Sequence, residues 1–259
     1  MTLELNPQQI DIWCVLYDQI HDPALLAQYA LLMSPDEHRR HQRFYFEKDR
    51  HRFLLTRALT RTVLSRYAAV SPNDWVFDKN AYGMPLIVNE DAIARKIVFN
   101  ISHTANMICL AVSTGRAIGI DTENTVQRKA AIDAGHHFFS TRESADLGQL
   151  APEMQHEAFF HYWTLKESYI KARGMGLSIP LSQFSFNLTK SGHIDFQRAP
   201  ILEDTIAHWD FKLQRVSSDY LLALCWENNS ALKPSLCFRQ LVPLGDEKPI
   251  EVQLVSLSA

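Results

Sequence analysis

The run from Phe159 to Leu177 constrains this chain most. Phe159, Trp163, Tyr169 and Ile170 recur near helical spacing, no proline interrupts them, and Gly174 and Gly176 supply a stop, so the run reads as a helix. Glu167 and Lys171 lie four residues apart and share a face of it. On its own such a pair is an ordinary surface contact, worth roughly a few tenths of a kcal/mol. It gains weight from an acidic pair upstream and a Ser-His pair before that.

Composition narrows the field. The chain has 259 residues, 46% of them hydrophobic, enough for one large domain or two small ones with a real core. A net charge of −3 argues against a general nucleic-acid or membrane-surface binder. No apolar run reaches the roughly 18 residues of a membrane span. Met1 to Gln9 lacks the basic and apolar regions of a signal peptide, which predicts a cytoplasmic protein. Cys14, Cys109, Cys225 and Cys237 are scattered without a C-x-x-C and read as reduced thiols. His136, His137, His156 and His161 cluster in sequence but fit no zinc spacing, so they read as structural or surface residues.

In chain order, residues 11–17 read as a buried strand and 23–33 as a helix. Ser34-Pro35-Asp36-Glu37 opens a second helix, with an N-cap serine and acids in the first turn. That helix turns basic at His38–Arg43. A longer helical pattern then runs to about Tyr67, with Lys48, Arg50, His51, Arg52, Arg57 and Arg61 on its polar positions. These basic residues are either a solvated face or a local anion site. Asn80 to Pro85 is a glycine-proline loop. Strands follow at 96–101 and 107–113, joined through Ser102-His103-Thr104, and a third at 117–123. Helical patterns occupy 129–138, 140–149 and 153–173, and Ser140 with Glu143 makes a capping box. Strands recur at 184–188, 209–216 and 219–226, Asn228 to Pro234 reads as a linker, and Ile250, Val252 and Leu254 suggest a last edge strand. The order strand, helices, strands occurs in each half, which suggests two similar α+β lobes.

Asp121 and Glu123 sit two apart on a strand, so both side chains leave one face. Two carboxylates at the end of an apolar strand repel and lose hydration; a hard divalent cation relieves both costs, and oxygen-only ligands favour Mg²⁺. The alternative is a strand that simply ends in a polar turn. Ser102-His103 could suggest a hydrolase, but no G-x-S-x-G elbow surrounds it, and a hydroxyl and an imidazole in a tight turn suit phosphate better. Two acids for a metal, a third acid and a lysine on one helical face, and basic residues upstream form the set that phosphoryl transfer needs.

Four blocks then resemble the 4′-phosphopantetheinyl transferases of the surfactin-synthetase-activating (Sfp) type. They are Phe99–Thr104, Gly119–Glu123, Phe138–Glu143 and Trp163–Lys171 with Gly174–Leu177. Arg43–Tyr45 with His51-Arg52, and Tyr82-Gly83 with Pro85, resemble the upstream blocks of that family, and the likeness covers roughly residues 10–226.

The resemblance implies an α+β fold of two similar lobes related by a pseudo-twofold, each an antiparallel sheet on a long helix, with the active site in the cleft between them. The lobes would be residues 1–116 and 117–259, with an extension after about 228. It implies transfer of the phosphopantetheine arm of coenzyme A to a serine of an apo acyl or peptidyl carrier protein, with release of adenosine 3′,5′-bisphosphate. By resemblance Asp121, Glu123 and Glu167 are ligands of Mg²⁺, with Mn²⁺ as an alternative. Glu167 is the base for the incoming serine, and Lys171 neutralises or protonates the departing phosphate. Ser102, His103 and Lys171 match coenzyme A phosphate contacts; Arg52, Tyr82, Gly83 and Pro85 match its nucleotide pocket. A monomer is implied, with no membrane or nucleic-acid partner. Met84, Glu37, Gln42 and Phe53 depart from the family pattern around the nucleotide. The competing readings are a non-catalytic binder of carrier protein or coenzyme A, and a hydrolase built on Ser102.

Overall fold

A computed structural model describes residues 3–127, 138–189, 191–229 and 233–258. The chain opens with strand β1 (Gln9–Leu16) and helices α1 (Pro23–Leu31), α2 (Pro35–Gln42) and α3 (Glu47–Leu64). A short hairpin, β2 (Phe77–Lys79) and β3 (Pro85–Ile87), precedes three longer strands, β4 (Ile97–Thr104), β5 (Met107–Thr114) and β6 (Ile118–Asn124). Helices α4 (Thr141–Gln149) and α5 (Pro152–Ala172) follow, then β7 (Phe184–Leu188), β8 (Ile194–Arg198), β9 (Trp209–Arg215) and β10 (Tyr220–Glu227). The last strands are β11 (Ser235–Leu241), β12 (Glu247–Pro249) and β13 (Gln253–Leu257). The fold is thus α+β. The helix expected at 129–138, with His136 and His137, lies outside the described residues except for Phe138.

Two sheets organise these elements. One runs β12-β11-β1-β5-β4 and the other β13-β9-β10-β6. Apolar residues of α1 and α3, among them Tyr29, Leu55, Leu59 and Val63, cover one face of the first sheet at Trp13, Ile108 and Leu110. Phe159, Phe160, Leu165 and Tyr169 of α5 cover the second sheet at Phe211, Leu213 and Leu221. A third cluster joins the remaining faces, with Ile12, Cys14 and Cys109 of the first sheet against Ile120, Leu222 and Leu224 of the second. All four cysteines are free. Among the described residues no helix is long and apolar enough to cross a membrane.

Local chemistry fixes the helix starts. The expected capping box of Ser140 with Glu143 forms at α4, and the expected N-cap Ser34 makes one as well, with Glu37 at α2. Each acid has a second task. Glu37 also binds Arg61, at 2.8 Å, and approaches Arg57, at 3.5 Å. Arg61 is buried and donates further to the carbonyls of Pro72 and Trp75, so it belongs neither to a solvated face nor to an anion site. Glu143 pairs with Lys166 of α5 at 2.8 Å, both side chains fully buried. Lys166 also donates to the carbonyls of Leu181 and Phe184, and Glu143 accepts from the Phe186 amide. Each hydrogen bond offsets part of the cost of burying the two charges. The pair fixes the rotation of α5, whose next residue is Glu167.

The last residues are structural, and sequence spacing places them only in part. β11 pairs in parallel with β1, and β13 pairs with β9 at the edge of the second sheet. The segment after residue 228 thus adds β11 and β12 to the first sheet and β13 to the second. The edge strand at Ile250–Leu254 is displaced: Ile250 and Val252 lie between strands, and pairing begins at Gln253. The described part of the 228–234 linker has no regular structure.

Candidate active site

Strand β6 presents Gly119, Asp121 and Glu123 to helix α5. A Cβ at Gly119 would stand 2.0 Å from the Ser168 carbonyl oxygen and 2.4 Å from the Ala172 nitrogen, so only glycine lets the helix backbone lie on the strand. One helical face then covers both acids. Lys171 Nζ donates to Asp121 Oδ1 at 2.6 Å and to Ser102 Oγ at 2.9 Å. Trp163 Nε1 donates to Glu123 Oε1 at 2.8 Å. Glu167 stands midway between these two contacts along α5, one turn from each. Ser102, His103, Asp121, Glu123, Trp163, Glu167 and Lys171 line one cavity of about 320 Å³.

Ser102 and His103 depart from their expected place in a turn. Both remain in β4, and the chain reverses at Ala105-Asn106, where Asn106 takes a positive φ of 69°. Alternation therefore sends them to opposite faces. Ser102 Oγ donates to Asp121 Oδ1 at 2.8 Å and accepts from Lys171 Nζ, while the His103 imidazole leaves the other face of the strand, so the two do not form a nucleophile–imidazole pair.

His103 opens instead on a second cavity of about 450 Å³, which shares His103, Ile101 and Lys171 with the first. Arg52, Tyr82, Gly83 and Pro85 all line it, so the structure brings together every residue assigned to the nucleotide pocket. The 80–85 loop is held there by Asn80, whose Nδ2 donates to the Gly174 carbonyl at 2.7 Å and whose Oδ1 accepts from the Tyr82 and Met84 amides. Met84 packs against Gly174, which has a positive φ of 63°.

Arg40, Phe44 and Arg57 also line this cavity; none is assigned to the nucleotide pocket by the sequence, and for Arg57 the local anion site is the alternative that fits. Phe53 collects them. Its ring contacts Phe44, and the guanidinium carbons of Arg40 and Arg57 each lie 5.4 Å from its centroid. Arg57 Nε is buried without a hydrogen-bond partner. Arg57 lies four residues after Phe53 on the same helix, a spacing that gives it no stronger claim than the other cations of α3. Trp163 is likewise unassigned, although it lies four residues before Glu167.

Charge favours anions in the second cavity. Arg40, Arg52, Arg57 and Lys171 line it against a single acid, Asp49, which pairs with Arg52 at 2.9 Å. Burial, and then the Arg52 charge, push the His103 pKa down, so its imidazole is neutral near pH 7. Burial likewise lowers His41 and His161. His156 Nε2 donates to the Thr125 carbonyl at 2.7 Å, in a structural role. For the three lowered histidines the unfolded chain binds protons more readily than the fold. Their contribution to stability is complete above the ordinary pKa of 6.5 and is lost as pH falls below it. The unfolding midpoint should therefore drop between about pH 7 and about pH 5.5, measured by calorimetry. A flat midpoint over that window would contradict the burial of these rings.

The first cavity has the chemistry of a cation site. Asp121 Oδ2 is buried without a hydrogen-bond partner. Asp121 and Glu123 are both buried, and every side-chain donor they offer is oxygen. Among the described residues no three His, Cys, Asp or Glu side chains already converge as a metal cluster. The residues fit a cation that takes carboxylates from the protein, with Glu167 lining the same cavity, and further oxygens from substrate.

Comparison with known proteins identifies the class. The profile described as 4′-phosphopantetheinyl transferase superfamily matches residues 117–225, and that of the 4′-phosphopantetheinyl transferase N-terminal region matches 22–115. The 4′-phosphopantetheinyl transferase Sfp of Bacillus subtilis is 34% identical over 76% of this chain and 84% of its own length. HetI of Nostoc sp., another 4′-phosphopantetheinyl transferase, is 34% identical over 76% of this chain and 82% of its own. A phosphopantetheinyl transferase of Thraustochytrium sp. is 27% identical over 89% and 84%. This chain belongs to the 4′-phosphopantetheinyl transferase family, enzymes that move a phosphopantetheine arm onto a carrier protein.

Proposed function

We propose that the two cavities hold the two ends of coenzyme A, and that the arm is transferred at the cavity between β6 and α5. The observation that carries this reading is the sharing of His103 and Lys171: one molecule with a basic-cavity nucleotide and a pyrophosphate beside Asp121 would touch both. The two sheets would then mark two similar lobes, 1–116 and 117–259, with the reaction between them. Support comes from the long helix packed on each sheet. We take the enzyme to work as a cytoplasmic monomer on an apo acyl or peptidyl carrier protein.

Asp121, Glu123 and Glu167 would hold Mg²⁺ or Mn²⁺. Bound there, the cation supplies charge neutralisation at the pyrophosphate. Glu167, between the Trp163 and Lys171 contacts, is the base that takes the proton of the carrier serine hydroxyl. The serine oxygen attacks the phosphorus that bears the pantetheine arm, and the bond to the bridging oxygen breaks. Adenosine 3′,5′-bisphosphate leaves with its new phosphate charge beside Lys171 and His103. Lys171 neutralises or protonates it. Ser102 keeps Lys171 and Asp121 in register through its single hydroxyl.

In the basic cavity Arg52 and the Tyr82–Pro85 loop would hold the nucleotide, and Arg40 and Arg57 across Phe53 its 3′-phosphate. Arg57→Ala should raise KM for coenzyme A about tenfold or more, the size of a lost charge-assisted hydrogen bond, and change KM for dephospho-coenzyme A much less. Equal effects on both would remove Arg57 from the phosphate contacts. Glu37 keeps Arg61 in that variant, so the fold is preserved.

The reading is tested by mass spectrometry of an intact apo carrier protein after incubation with this enzyme, coenzyme A and Mg²⁺. A gain of one phosphopantetheine arm, abolished by EDTA, is the expected result. No gain across fatty-acid, polyketide and peptide carriers would leave the binding-only alternative.

A further inference from the structure

Strand β4 ends one sheet and β6 ends the other. Each would leave backbone groups bare where they meet. Alternate side chains of β4 fill that need. Asn100 Oδ1 accepts from the Ile120 amide at 3.0 Å, Ser102 Oγ from the Thr122 amide at 3.2 Å, and Thr104 Oγ1 from the Asn124 amide at 2.9 Å. These amides follow Gly119, Asp121 and Glu123, the three β6 residues that face α5. The upper rungs repeat a second contact. Ser102 Oγ donates to the Asp121 carboxylate at 2.8 Å, and Thr104 Oγ1 points its hydroxyl at Glu123 Oε2 at 3.5 Å. Both hydroxyl residues are buried, so water does not substitute for them.

Two unlike side chains thus do one job at two successive acids: each holds the amide after the carboxylate and reaches the carboxylate itself. We propose that Thr104 is a positioning residue of the metal site, setting Glu123 as Ser102 sets Asp121, and that cation affinity depends on its hydroxyl. The proposal rests on the assignment of Asp121 and Glu123 as ligands. A hydroxyl that orients a ligand acts on affinity for the cation, and loss of such a partner typically costs about 10- to 100-fold. It leaves the base and the phosphate contacts in place, so turnover at saturating Mg²⁺ changes little.

The test compares Thr104→Val, which keeps the shape and removes the hydroxyl, with Thr104→Ser, which keeps the hydroxyl. Mg²⁺ is titrated calorimetrically into each protein in the presence of coenzyme A, and kcat is measured at saturating Mg²⁺. The valine variant should bind Mg²⁺ at least about tenfold more weakly with kcat lowered less than about threefold, and serine should restore most of the affinity. Parent-like affinity in the valine variant, or equal losses in both variants, would overturn the proposal. Failure of the ligand assignment itself looks different: the parent protein then shows no Mg²⁺ binding at all. Should the valine variant not fold, amide hydrogen exchange in the parent decides. The Asn124 amide should exchange more slowly when Mg²⁺ and coenzyme A are added, and an unchanged rate would overturn the coupling.

Discussion

Gly119→Ala should cost this enzyme stability and activity together. The added methyl would meet the Ser168 carbonyl oxygen at 2.0 Å and the Ala172 nitrogen at 2.4 Å, both backbone atoms of α5. No side chain can swing away, so the helix itself must lift off the strand. Lifting it separates Phe160, Leu165 and Tyr169 from the second sheet and Lys171 from Asp121. Overpacking a core typically costs about 1–3 kcal/mol, and a clash with backbone belongs at or above the upper end. For a chain of this size that lowers the unfolding midpoint by roughly 6–12 °C. Scanning calorimetry gives the midpoint, and carrier modification by mass spectrometry gives the activity. An unchanged midpoint with full activity would mean that α5 does not rest on β6.

The same glycine shows how far the sequence could be read. Glycine in an otherwise apolar strand signals close approach of another backbone, yet nothing local says which one. By contrast, Ser140 and Glu143 lie within one turn, and their capping box is legible because every partner is nearby. The buried partner of that same Glu143, Lys166, is far along the chain and could not be inferred from spacing. Asp121 and Glu123 were legible as a pair because strand alternation alone puts them on one face. Arg57 was not separable from the other cations of α3, since helical spacing does not say which of them meets Glu37 and which the cavity. Ser102 and His103 looked like a turn because polar residues follow an apolar run; the turn is shorter, Ser102 is spent with Asn100 and Thr104 on the edge of β6, and His103 faces the second cavity. The last edge strand was legible a few residues out of place, whereas β11 escaped because its partner β1 lies at the opposite end of the chain.

These layers converge on Glu167. Gly119 lets α5 lie on β6, the buried Lys166–Glu143 pair sets the helix rotation, and the contacts of Trp163 and Lys171 bracket the carboxylate between the two acids. If Glu167 takes the serine proton, Glu167→Gln removes a base without changing shape. Turnover should fall by about 10²–10⁴-fold, the usual share of general-base catalysis. The affinity for coenzyme A, measured by calorimetry, should change little, because the basic cavity is lined by other residues. Mg²⁺ affinity should weaken modestly, since a neutral amide replaces one of three carboxylates. Normal turnover in this variant would remove Glu167 from the base role, and loss of coenzyme A binding would place it in the substrate pocket. Ser102→Ala separates the transferase from the hydrolase reading in the same assay. It loses one hydroxyl shared by Lys171 and Asp121 and should retain measurable transfer, whereas a serine nucleophile would leave none.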